Sequence, residues 1–260
     1  MSKISKLAVI EDGAVIGENV QIGAFAVIGS EVKLENGVKI FEGAQVKGNT
    51  CIGENSQIHP YAVIGNIPQD VSYNGESGEL IIGKNNSIRE FVTINLPTLK
   101  QDKKTVIGDN NFILAYCHIA HDCIIGNNTI LANNATLAGH VEIGDFTVIG
   151  GLTPIHQFVK IGEGAMIGGA SAVSQDIPPF CLAEGNRAKI KGLNLIGLRR
   201  RFQREDIDAL KKAYSVIFRS NKPLKESAQQ ILDEIKNEKV EKLCNFIINT
   251  KRGIPFERNI

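Results

Sequence analysis

The 260-residue sequence predicts a solenoid of short parallel strands over residues 1–184, followed by a small α-helical domain over residues 185–260. Three observations carry that expectation. Aliphatic residues recur every six positions, glycine often follows them directly, and the spacing becomes helical beyond Pro178-Pro179. Six is not a helical period, and it persists too strictly for a plain two-sheet sandwich. A single hexad cannot bury its apolar face, whereas a stack of hexads buries a continuous core.

Taken in order, Ile4, Ile10, Ile16, Ile22, Ile28, Leu34, Ile40, Val46, Ile52, Ile58 and Ile64 hold the register without a miss. Small or branched residues such as Val20, Ala26, Val38 and Ala44 follow four positions later. The register next falls on Asp70 and Glu76 in a Gly/Asn/Ser-rich stretch, so residues 66–80 are expected to leave the solenoid as a loop. It resumes at Ile82, Ile88 and Ile94. The following step, to Ile107, is thirteen residues and requires a second projecting loop over 95–105. From Ile107 to Val173 the six-residue step is again unbroken. With three hexads per coil, residues eighteen apart lie one above another at about 4.8 Å. Downstream, Arg204–Ser220, Leu224–Asn237 and Val240–Thr250 have helical spacing, with Ile207, Leu210, Tyr214, Ile217 and Phe218 on one face. A helical domain from about Gly185 would cover the open end of the solenoid and its strand edges.

Lys+Arg 29 against Asp+Glu 28 leaves no global field for nucleic acid or a membrane surface. The five cysteines, at 51, 117, 123, 181 and 244, lack CxxC spacing and fit neither a disulfide framework nor a zinc ribbon. A reducing, cytoplasmic location is expected. The apolar stretch Leu7–Ile10 is too short for a signal-peptide core or a membrane span. From Gly185 to Arg204 the chain carries Arg187, Lys189, Lys191, Arg199, Arg200, Arg201 and Arg204 with no acidic residue. Such a strip suits phosphates or an acidic protein surface. No recognition module or aromatic stacking platform accompanies it, so nucleic acid is not the expected partner.

Four of the five histidines lie between 118 and 156. Coil arithmetic stacks His121, Gly139 and Gln157 in one column and Asp122, His140 and Phe158 in the next, where the chain turns a corner. This set suits acyl transfer. Imidazole titrates near neutrality and can take a proton from a weak nucleophile. Asp122 would orient His121, a pairing that depends on corner geometry because neighbours on a flat strand point apart. The Gly139 N–H, unobstructed by a side chain, would face a developing oxyanion. A competing chemistry is zinc held by His118, His121 and His140. Cys117 and Cys123 are expected to be core fillers, and His59 a structural histidine.

The segments His118-Ile-Ala-His-Asp-Cys123, Ile130-Leu-Ala-Asn-Asn-Ala-Thr-Leu-Ala-Gly-His140, Gly150-Gly-Leu-Thr-Pro-Ile-His-Gln-Phe158 and Glu184-Gly-Asn-Arg187 closely resemble the UDP-N-acetylglucosamine acyltransferases that begin lipid A synthesis. The resemblance runs over nearly the whole chain. The hexads alone point only to the left-handed parallel β-helix class, which also includes zinc-dependent carbonic anhydrases whose ligand spacing is not reproduced here. The resemblance implies a cytosolic homotrimer with active sites between neighbouring solenoids. Its donor would be an (R)-3-hydroxyacyl group on acyl carrier protein and its acceptor a UDP-linked glucosamine. His121 would be the general base, Asp122 its orienting partner and Gly139 the oxyanion donor. Asp70, His118, His140 and Gln157 would hold the sugar, and His156 would lie near the acyl 3-hydroxyl. Asn194, Arg200 and Arg201 would lie near the nucleotide phosphates or the carrier arm, and Gly169 would set acyl length. No metal or resident cofactor is implied, because the phosphopantetheine arrives with the donor. Two positions depart from the pattern: Ser72 stands where many members carry lysine, and Ile196 where an acidic residue is frequent. An acceptor with an amine at position 3 therefore competes as substrate. A hexapeptide acyltransferase using acetyl-CoA and a non-catalytic scaffold are the rival functions.

Overall fold

A computed structural model of the chain describes residues 2–98 and 104–257. Among these, strands of two to five residues stack into sheets of eleven, eight and eight strands, each sheet taking every third strand of the winding. The architecture is a left-handed parallel β-helix with helices at its C-terminal end. Within a sheet the register aliphatics pair with one another, as in Ile4 with Ile22, Ile22 with Ile40 and Ile40 with Ile58. The resulting core columns are shut off from water: Ile28, Ile52, Ile58, Ile64, Ile88 and Ile119 are all 0% exposed. Each such side chain contributes roughly 1.5–3 kcal/mol of burial.

On either side of both departures from the hexad period the register aliphatics stay paired. Ile64 pairs with Ile94, and Ile94 with Ile119. The first runs between strands Val63–Asn66 and Glu79–Ile82. The second runs between Thr93–Asn95 and Lys104–Ile107, and residues 99–103 of it lie outside the described residues.

The edges of the prism are built by left-handed residues. One edge carries Phe25, Tyr61, Phe91, Tyr116 and Leu152, a second Asp122, His140 and Phe158, and a third Asn19, Asn55, Asn85, Asn110, Asn128 and Phe146, all with φ between 54° and 63°. Non-glycine residues adopt this region reluctantly, asparagine least so. Here the stacked coils impose it, since each corner amide is tied to the coil before it, as in Phe25 N to Leu7 O and His140 N to His121 O.

At the C-terminal end the expectation of helix from Gly185 needs correction. The chain first adds strand Cys181–Glu184 parallel to Met166–Ile167, then returns antiparallel as Lys189–Leu193. Pro178-Pro179 ends the hexads but not the sheet, because Ala183 and Ile190 still bury their side chains on its edge. Among the described residues four helices follow: α1 (Leu195–Arg201), α2 (Arg204–Arg219), α3 (Leu224–Glu234) and α4 (Glu238–Asn249). The sequence period missed α1, which buries only Leu198 and so shows no stripe. Helix α3 stops short of Asn237 because the Asn237 side chain caps α4, accepting from the Lys239 and Val240 amides. Ile207, Leu210, Ala213, Ile217 and Phe218 of α2 are buried, and Phe180 packs edge-on against Phe202 at 5.5 Å, joining solenoid to helices.

Candidate active site

The second edge of the prism gathers the imidazoles. On an extended strand His121 and Asp122 would point to opposite sides, but Asp122 sits at φ 59° and the reversal brings them together. His121 Nδ1 lies 2.7 Å from Asp122 Oδ2. One coil on, the His140 amide donates to His121 O at 3.0 Å, and the Phe158 amide to Gly139 O at 3.1 Å. The His140 ring stacks on Phe158 at 4.4 Å and meets His121 edge-on at 5.1 Å. Gly139 lies directly beneath His121: a Cβ there would fall 2.4 Å from Cε1 and 2.7 Å from Nε2. Its N–H makes no backbone hydrogen bond to the described residues.

The carboxylate is locked from the far side. Thr98, from the second loop, donates to Asp122 Oδ2 through its amide at 3.1 Å and its hydroxyl at 2.8 Å. The Asp122 amide donates to Thr105 Oγ1 at 2.9 Å. Burial pushes the Asp122 carboxyl up, but the hydrogen bonds from His121 and Thr98, helped by His140, outweigh it and hold the group below the usual aspartate value. An ionised Asp122 keeps the proton of His121 on Nδ1 and leaves Nε2 as the basic nitrogen. Asp70 enters from the first loop, with Oδ2 3.8 Å from His121 Nε2 and Oδ1 accepting from both the amide and hydroxyl of Ser72.

His118 lies on strand His118–Ile119 with Nδ1 2.7 Å from Thr93 Oγ1. Burial, then the nearby His121, lowers its pKa. His156 is exposed, its Nδ1 3.2 Å from Arg252 Nη2 and 3.1 Å from Gln157 O. A cleft of about 380 Å³ continues from His140 and Phe158 to Phe246, Lys251 and Arg252. The potential ligand atoms of His121, Asp122 and His140 lie within 4.8 Å of one another, whereas His118, a member of the competing zinc set, stands outside that group. The Asp122 oxygen in it is already engaged by His121 and Thr98. Cys117 and Cys123 are buried in the core, which raises their thiols to about 11 and about 12.

Within one chain, Asn194 and Arg201 are held away from this edge. Asn194 caps α1, its Oδ1 accepting from the Gly197 amide and its Nδ2 donating to Gly164 O. Arg200 is exposed. Arg201 lies 4.5 Å over the Phe146 ring and 3.8 Å from Glu163, on the third edge. Part of the basic strip is internally compensated, since Lys189 pairs with Glu257 and Arg204 with Asp208. Gly169 opens on a groove lined by Glu184, Asn186 and Arg187. Sequence reasoning missed Thr98, Thr105 and Arg252. None carries a motif: Thr98 and Arg252 reach the site from a loop and from the C-terminal tail, and Thr105 from the strand that follows the thirteen-residue step.

Comparison with known proteins identifies the family. Residues 31–66 and 104–139 match the bacterial transferase hexapeptide repeats, and residues 176–255 match the second domain of UDP-N-acetylglucosamine O-acyltransferase. The acyl-[acyl-carrier-protein]–UDP-N-acetylglucosamine O-acyltransferase of Campylobacter lari is 61% identical over 98% of this chain and 97% of its own length. That of Aliarcobacter butzleri is 58% identical over 99% and 100%. The solved UDP-N-acetylglucosamine acyltransferase of Campylobacter jejuni superposes with a TM-score of 0.95 at 58% identity, covering 98% of this chain and all of that one. A structure from Acinetobacter baumannii, 40% identical, reaches 0.94 over 97% and 99%. Relatives matched end to end at this level make the chain an acyltransferase belonging to the UDP-N-acetylglucosamine O-acyltransferase family.

Proposed function

We propose that the protein transfers an (R)-3-hydroxyacyl chain from acyl carrier protein to position 3 of UDP-N-acetylglucosamine, the first step of lipid A biosynthesis. The observation that carries the mechanism is the His121–Asp122 pair at 2.7 Å with Gly139 against the imidazole. His121 Nε2 takes the proton of the sugar's 3-hydroxyl as its oxygen attacks the thioester carbonyl. The Gly139 N–H stabilises the tetrahedral oxyanion. Collapse breaks the C–S bond, and the imidazolium returns the proton to the departing phosphopantetheine thiolate. Asp122 holds the ring and balances its transient charge. Asp70, His118, His140 and Gln157 hold the sugar, and His156 meets the acyl 3-hydroxyl. No metal or resident cofactor takes part.

Two features support a homotrimer with sites between chains. Phe25, Tyr61, Phe91, Tyr116 and Leu152 leave 45–66% of their surface exposed in one column, an apolar ridge suited to a neighbouring solenoid. Asn194 and Arg201, held elsewhere on their own chain, would reach a sugar nucleotide at the His121 edge from a second copy. A cytoplasmic, reducing location is supported by five free cysteines. A second reading, the 3-amino sugar nucleotide as acceptor, is favoured by Ser72 occupying Asp70 Oδ1 and by Ile196, 67% exposed on α1. Product mass analysis with carrier-bound 3-hydroxy fatty acids and both acceptors tests both readings. An ester from the 3-hydroxy sugar supports the first, preferential amide formation the second, and transfer to neither overturns both.

A further inference from the structure

The second loop ends its described path in a contact that the transfer reaction does not use directly. Thr98 is 3% exposed, and both its amide and its hydroxyl point at Asp122 Oδ2, the oxygen that also meets His121 Nδ1. The other oxygen, Oδ1, is buried and has no hydrogen-bond partner among the described residues. The carboxylate is therefore held asymmetrically. Three donors converge on one oxygen, and no described residue holds the opposite oxygen against a rotation that would share the two between them.

We propose that the Thr98 hydroxyl is a positioning group that fixes the Asp122 carboxylate so that Oδ2 stays in line with His121 Nδ1–H. This rests on His121 acting as the base. The threonine works through Asp122 and touches neither substrate. Its amide and its hydroxyl both tie Oδ2 to the loop, and the hydroxyl bond, at 2.8 Å against 3.1 Å, is the shorter restraint on a turn about the Cβ–Cγ bond. Losing it lets Oδ1 and Oδ2 exchange, loosens the imidazole and lowers the fraction of time Nε2 faces the acceptor hydroxyl. A hydrogen bond to a charged group of this kind is worth about tenfold or more in rate when it acts only on the reactive geometry.

The test is Thr98→Val, which keeps the amide and the volume and removes only the hydroxyl, beside Thr98→Ser, which restores it. The full-length protein is assayed for kcat and KM of both substrates, and the downfield His121 Nδ1–H proton is followed by NMR. The expected result is a roughly tenfold fall in kcat for Thr98→Val with KM within twofold, an upfield shift or broadening of the Nδ1–H signal, and near wild-type behaviour for Thr98→Ser. A Thr98→Val enzyme with unchanged kcat and Nδ1–H signal overturns the proposal. So does one whose activity falls while the signal stays put, because the hydroxyl then acts elsewhere. The NMR arm does not depend on the reaction: a wild-type protein that fails to transfer acyl groups refutes the proposed function, while the Nδ1–H signal still decides the role of Thr98.

Discussion

Gly139→Ala puts one methyl group against the imidazole on which the chemistry depends. The added Cβ would sit 2.4 Å from His121 Cε1 and 2.7 Å from Nε2. Non-bonded carbons rest at about 3.5–4.0 Å, so the ring must retreat by roughly 1 Å. It cannot do so freely. Nδ1 is held 2.7 Å from Asp122 Oδ2, and His140 closes one side edge-on at 5.1 Å. A displacement of about 1 Å at a reacting group costs on the order of 10²-fold in rate. Overpacking a buried corner costs about 1–3 kcal/mol of stability, which a fold of this size survives. The measurement is kcat at saturating donor and acceptor, with thermal unfolding alongside. Gly192→Ala is the control, because a Cβ there meets nothing within 4 Å. Gly139→Ala is expected to lose about 10²-fold in kcat while remaining folded, and Gly192→Ala to match the unmodified enzyme. A Gly139→Ala enzyme within twofold of wild type refutes the idea that the ring must occupy the position described.

His121→Ala is expected to lower kcat by about 10²–10⁴-fold with the solenoid intact, read by initial rates and circular dichroism. The Asp122 carboxyl lies below its unfolded value, near 3.9, so it stabilises the fold above that pH, and the benefit is lost as pH falls through the native pKa. Asp122→Asn should therefore lose less stability than wild type on acidification from about pH 5 to pH 3, in urea titrations. Around Gly169 a Cβ meets only the Gly151 backbone, with its oxygen 3.4 Å away, so the first atom of a Gly169→Met side chain is accommodated beside the groove. Products shorter by several carbons, seen by mass spectrometry, are the expected outcome, and an unchanged chain-length profile contradicts it. The pKa of His59 is lowered by burial and then by Arg89, against the pull of Glu90, so its folded state resists protonation. Its contribution is complete above the unfolded value of about 6.5 and lost as pH falls below it; His59→Gln should flatten the fall in Tm between roughly pH 7 and 5.

Much of this molecule was legible from spacing. The hexad register located the core residues, and on either side of both breaks, at Asp70 and after Ile94, its aliphatics stay paired. Coil arithmetic brought Gly139 to His121 because parallel stacking turns a separation of eighteen into one strand spacing. The hairpin at Lys189–Leu193 and helix α1 were not legible. A single edge strand and a seven-residue helix bury too few side chains to print a period.

The sequence by itself therefore determined the solenoid, its register and the residues that share an edge, since a repeating burial requirement is written residue by residue. Only the tertiary structure decided how the edge works. The turn of Asp122 into the left-handed region makes it face its neighbour His121, and Thr98 reaches back from the second loop to hold the carboxylate. Arg252 arrives beside His156 from the far end of the chain, and Asn194 and Arg201 are kept on a different edge. Those outcomes depend on backbone reversals and on loops closing over long separations, where one local choice is stabilised by contacts from elsewhere and leaves no period behind.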